Sequence, residues 1–138
     1  MRVISGNCKG RKLVKIHGST IRPTADRVKE AVFNILGPQI KKASVLDLFA
    51  GTGALGIEAL SRGAKHATFI DCSCDTIQKN LKLCSLDNKA RVLCCDIIKQ
   101  GIPEDLHDKD FDFIFMDPPY ENKLIEHLFK KDLFFKNL

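Results

Sequence analysis

At 138 residues, 44% hydrophobic and 28% charged, the chain is long enough for one hydrophobic core and too short for two. No apolar run approaches the ~20 residues that span a bilayer, and residues 1–6 lack the apolar stretch of a secretory signal, so a cytoplasmic protein is expected. The net charge of +5 is unevenly spread, because residues 1–43 carry ten Lys and Arg against Asp26 and Glu30, a net +8 that leaves −3 for the rest.

Residues 2–5 and 11–16 read as two short strands around the glycine-bounded turn 6–10, a basic hairpin. Apolar residues at Val28, Ala31, Val32, Ile35 and Leu36 follow helical spacing, with Thr24 as N-cap and Gly37-Pro38 as the stop. The body then alternates. Strands are predicted at 44–50, 66–70, 90–95 and 111–116, and helices at 53–61, 75–84 and 123–131, with a polar loop or short helix over 101–110. That rhythm predicts an α/β fold, a doubly wound and mostly parallel sheet of Rossmann-like type. The division follows the charge: a basic N-terminal extension, 1–43, and a catalytic domain, 44–138. A plain solvated basic face is the competing reading.

Six cysteines, Cys8, Cys72, Cys74, Cys84, Cys94 and Cys95, form no Cys-x-x-Cys. No metal site is expected. Reduced thiols, several of them acting as small hydrophobes at strand ends, are the reading adopted.

Two motifs carry chemistry. Gly51-Thr52-Gly53-Ala54-Leu55-Gly56 fits Gly-x-Gly-x-x-Gly directly after a strand and at the opening of a helix, and Asp71 lies 20 residues beyond Gly51, at a strand end. An acid there suits a ribose diol, which dinucleotides and S-adenosylmethionine both present. Asp47, inside the first strand, separates the two: it would repel a pyrophosphate and welcome an amino-acid ammonium. Asp96 falls where an adenine amino group would lie and Ile97 where it would pack on the ring, although a cap on the next turn explains Asp96 equally well. The second motif is Asp117-Pro118-Pro119-Tyr120, at the end of an apolar segment. The lone pair of a base amine is delocalised into the ring. Asp117 and the Pro118 carbonyl would accept its two hydrogens, the prolines would fix that geometry, and Tyr120 would offer a flat face for the base. Arg22 and Arg27 could face phosphates or form a surface ion pair with Asp26, and Arg11 and Lys12 add to this candidate polyanion-binding set.

These residues resemble the bacterial 16S rRNA guanine-N2 methyltransferases of the small ribosomal subunit. The resemblance runs from the opening 1–6 and 9–13, through the specific stretch 22–36, to 45–56, 60–64 and 117–120. It implies a class I methyltransferase in which Asp47, Phe49, Gly51, Gly53, Asp71, Asp96 and Ile97 hold S-adenosylmethionine, while Asp117, Pro118 and Tyr120 hold a flipped guanine. The family often has Glu where this chain has Asp71. Its domain also continues past the position of Leu138 through a fifth strand and an antiparallel hairpin, so the catalytic domain is expected to be incomplete at its C-terminus, with missing strands.

The implied partner is 16S rRNA or the assembling small subunit. A monomer is expected, with the uncovered sheet edge as the surface through which copies would associate. Three rivals stand beside this reading: an adenine-N6 or cytosine-N4 methyltransferase, a shortened and catalytically silent chain that binds RNA or cofactor, and a nicotinamide-dependent dehydrogenase.

Overall fold

Four parallel strands stand side by side in the order β3-β2-β1-β4. In this computed structural model, which describes residues 1–16, 25–118 and 126, they are β1 (Ser44–Leu48), β2 (His66–Asp71), β3 (Ala90–Cys94) and β4 (Phe113–Met116). The helices are α1 (Ala25–Leu36), α2 (Ala54–Ser61), α3 (Asp75–Leu83) and the single turn α4 (Ile97–Gln100). Each strand and helix expected between residues 44 and 116 is present within a few residues. Arg22, Thr24, Pro119 and Tyr120 lie outside the described residues, as does the helix expected at 123–131 except for Glu126, which is helical.

Alternation along the strands divides two apolar layers. Val45, Ala67, Phe69 and Phe115 face a core shared with α1, α2 and α3, while Leu46, Leu48 and Ile70 face Ile97 and Leu106 on the other side. A sheet covered on both faces needs nearly continuous apolar strands, which is why these segments lack polar alternation. The architecture is Rossmann-like. From β1 the chain winds outward through β2 to β3, then returns to β4 on the far side of β1. That reversal opens a crevice at the carboxyl ends of β1 and β4, where open α/β sheets bind ligands.

Three expectations change. The N-terminal hairpin is not two strands: one antiparallel bridge, Arg2 to Lys12, joins its arms. Backbone bonds such as Val3 N to the Arg11 carbonyl and Leu13 N to the Met1 carbonyl also join the arms, and Val3, Cys8 and Leu13 enter the same core as α1–α3. Helix α1 is rotated from the stripe read in the sequence. Phe33 and Lys29 are buried and Val32 and Leu36 of that stripe pack partly buried on the core, whereas Val28 is 59% and Ile35 84% exposed. The reason is Lys29, which turns inward to pair with Glu58 of α2 at 3.4 Å and to donate to the Arg2 carbonyl at 2.7 Å. Finally, the thiols are not all reduced: Cys74, at the start of α3, is joined to Cys94, at the end of β3, with a Cα–Cα distance of 5.8 Å. Cys8 and Cys84 are buried, as small hydrophobes would be.

Candidate active site

The turn after β1 needs unusual backbone. Phe49, Gly51 and Gly53 all have positive φ, at 55°, 59° and 81°, a region that costs glycine little. The strain falls on Phe49, which is half-buried against the second core layer. The third glycine of the motif serves packing. A Cβ on Gly56 would lie 2.3 Å from Cε1 of Phe69 in β2, so only glycine lets α2 approach the sheet this closely.

Three amides of this turn are taken up within the protein. Gly51 N donates to Asp71 Oδ2 at 2.8 Å, Gly53 N to the Ala50 carbonyl at 2.8 Å, and Gly56 N to Asp47 Oδ2 at 3.0 Å. Asp71 is half-buried, and its Oδ1 also accepts from Ser73 N at 3.1 Å, which fixes the β2–α3 turn. Asp47 is only 2% exposed. Burial pushes its carboxyl up to about 8, the nearby Asp71 and Asp117 push it the same way, and the Gly56 amide opposes them. Burial thus favours the neutral form of this carboxyl in the present arrangement. Asp71 ends β2 and Asp117 follows β4, so both stand at the same carboxyl end of the sheet as the turn after β1.

Asp117 and Pro118 directly follow β4, whose last residue Met116 pairs in register with Leu48 of β1. Asp117 is exposed and Pro118 half-buried. Asp96 caps α4, its Oδ1 accepting from Ile98 N at 3.1 Å and Lys99 N at 3.3 Å, so the capping alternative is realised. Ile97 is 3% exposed, inside the second core layer.

Of the basic set, Lys12 and Arg27 are exposed. Arg11 is exposed but anchored, donating from Nη1 to the Leu83 carbonyl at the end of α3 at 2.7 Å, where a cation also meets the negative end of the helix. The sequence reading missed the residues that dock the N-terminal loop. Glu58 Oε1 accepts from Ile4 N at 2.8 Å and its Oε2 from Ser5 N at 3.1 Å, while the same carboxylate pairs with Lys29 and Arg62. Ser61 Oγ accepts from Cys8 N at 2.9 Å, and Asn80 Oδ1 from Val14 N at 2.6 Å. The available signal was polar residues on the apolar faces of α2 and α3, which must find partners when buried.

This arrangement of turn, acids and reversal has relatives along nearly the whole chain. Residues 1–134 match the family described as conserved hypothetical protein 95. The chain belongs to that family. The chain is 44% identical to a Bacillus subtilis protein provisionally named rRNA methyltransferase YlbH, over 93% of this chain and 71% of that one. It is 42% identical to the ribosomal RNA small subunit methyltransferase D of Haemophilus influenzae, over 91% of this chain and 67% of the relative. In structure it is similar to an Escherichia coli protein provisionally titled methyltransferase yhhF, with a TM-score of 0.80 and 39% identity, covering 99% of this chain and 73% of that chain. The fold is thus that of class I methyltransferases, and the chain spans about two thirds to three quarters of these relatives' lengths.

Proposed function

We propose that this chain methylates the exocyclic N2 of a guanine in the RNA of the small ribosomal subunit, with S-adenosylmethionine as methyl donor. The observation that carries the choice of donor is the state of the glycine turn. A dinucleotide would need free amides at this helix start for its pyrophosphate. Here the Gly51 and Gly56 amides already donate to Asp71 and Asp47, and the carboxylates of Asp71 and Asp117 would repel phosphate. Those same acids suit a donor that is cationic at its sulfonium and ammonium and carries no phosphate.

Asp71 would hold the ribose, and Gly51 and Gly53 would shape the turn beneath it; Asp47 and Phe49 would support that turn from below. When bound, S-adenosylmethionine supplies an electrophilic methyl group. Asp117 accepts one hydrogen of the base amine and the Pro118 carbonyl the other, which turns the nitrogen lone pair toward the methyl and stabilises the positive charge that develops on nitrogen. Tyr120 would stack on the base after it leaves its helix, an interaction worth ~1–3 kcal/mol. The names of the relatives support the RNA substrate, and the Asp-Pro-Pro-Tyr run supports an amine as acceptor. Its choice of guanine N2 over adenine N6 or cytosine N4 rests on the resemblance over residues 22–36.

Calorimetry with the purified chain tests the donor assignment. S-adenosylmethionine should bind, NAD should not, and Asp71→Ala should weaken binding by the ~1.5–3 kcal/mol of a lost charged hydrogen bond. Tight NAD binding, or unchanged affinity in Asp71→Ala, would reject it.

A further inference from the structure

We propose that the seam between the N-terminal loop and α3 is a track for the backbone of the substrate RNA, and that Lys79 and Lys82 of α3 are phosphate contacts on it; this rests on the RNA-methylation reading above. Nothing in the sequence alone ties these two lysines to residues 1–16, because they lie more than 60 positions away. The fold brings them together. Residues 11–16 run alongside α3 in the opposite direction: Arg11 is bonded to Leu83 at the helix end, and Val14 N and O are both bonded to the Asn80 side chain, at 2.6 and 3.1 Å. Asn80 Nδ2 also reaches the Thr52 carbonyl of the glycine turn at 2.9 Å, and Ile16 Cδ1 lies 3.9 Å from where a Cβ of Gly51 would be. The segment therefore leads from the far end of α3 to the rim of the candidate active site, and six extended residues reach at most about 20 Å.

Charge along this path has one sign. Residues 1–16 contain five Lys and Arg and no acid, and the exposed face of α3 adds Lys79 and Lys82, with Asp75 alone opposing them at its first turn. Lys12, Lys15, Lys79 and Lys82 are all exposed. Between them lie the exposed side chains of Val14, Ile16 and Leu83. Lysines set phosphates by charge without demanding a fixed geometry, and interleaved apolar groups suit sugars and unstacked bases. A polyanion that must deliver one flipped base to Asp117 gains register from contacts on a strip that ends at the same crevice. Arg11, already fixed to α3, contributes its field but also holds the loop in place, so it is a poor probe of RNA contact alone.

The test is a salt titration of binding to a 16S rRNA transcript, comparing wild type with Lys12→Gln, with Lys79→Gln/Lys82→Gln, and with Lys41→Gln/Lys42→Gln, exposed residues just before β1 and outside the seam, as a control. Each phosphate contact contributes about 0.7–0.9 to the slope of log affinity against log salt. The α3 pair should flatten the slope by about 1.4–1.8 and weaken binding on the order of tenfold or more near 0.1 M salt, with affinity for S-adenosylmethionine unchanged. An unchanged slope in the α3 pair, alongside a flatter one in Lys12→Gln, would overturn the track and leave the RNA reading standing. An equal loss in the Lys41/Lys42 control would overturn it as a mere effect of net charge. Absence of any salt-dependent binding by wild type would remove the RNA reading and the track with it, whereas donor binding, measured separately, would still stand or fall on its own.

Discussion

Replacing Asp47 by asparagine should change how stability depends on pH more than it changes the fold. The asparagine oxygen can still accept the Gly56 amide, so the bond at 3.0 Å is retained, but no charge remains to be buried. In the wild type the carboxyl is raised from 3.8 to about 8 in the folded state. A value raised above that of the unfolded chain means that the folded protein keeps the proton while the unfolded one releases it. The burial of Asp47 is therefore without penalty below about pH 4, becomes costly as pH rises, and reaches its full cost above about pH 8. Four units at ~1.4 kcal/mol each set a ceiling of about 5–6 kcal/mol; relaxation of the site toward a higher effective dielectric lowers the expectation to about 2–3 kcal/mol. Urea unfolding of both proteins at pH 4.5, 6, 7 and 8.5 measures it. The difference between the two should grow in favour of Asp47→Asn across that range. Parallel curves would refute the reasoning, because they would mean that Asp47 ionises in the folded protein as it does in the unfolded one.

Glu58→Gln leaves the buried Lys29 facing a neutral amide and loosens the N-terminal loop, so it should cost about 3–5 kcal/mol and raise the hydrogen-exchange rates of the Ile4 and Ser5 amides; a cost below 1 kcal/mol in urea would count against Glu58 as the anchor. Gly56→Ala should destabilise by at least the ~1–3 kcal/mol typical of overpacking, since the new methyl meets the Phe69 ring, and a melting temperature equal to wild type would contradict the close helix–sheet contact. Cys94→Ser opens a cross-link spanning 20 positions, which a chain-entropy argument values at about 3 kcal/mol. Dithiothreitol should then lower the melting temperature of wild type and not of the variant, and an unmoved wild type would mean that the bond contributes nothing.

The body of the fold was legible because its strands are short, apolar and separated by helices of clear period, and because the glycine turn and the Asp-Pro-Pro-Tyr run each mark a strand end. The rotation of α1 was not. Period alone put Val28 and Ile35 inward, and only the partner of Lys29, which is 29 positions away at Glu58, sets the helix the other way. Asp47 was legible as an acid inside β1, yet the shift of its carboxyl depends on burial and on two other acids that come together only in the folded sheet. Asp96 and Ile97 were assigned by position after a strand. Capping and core packing, both local demands, decide their side chains. The Cys74–Cys94 bond joins residues that the register of β2 with β3 brings together, and spacing in the sequence carries no trace of it.

Single-turnover transfer of labelled methyl to small-subunit particles that lack the modification, with the product nucleoside identified by mass spectrometry, tests the central claim most directly. Wild type should yield N2-methylguanosine, and Asp117→Ala should lower the rate by at least ~100-fold while the affinities for donor and RNA stay near wild type. A different methylated nucleoside, or normal turnover by Asp117→Ala, would contradict the account.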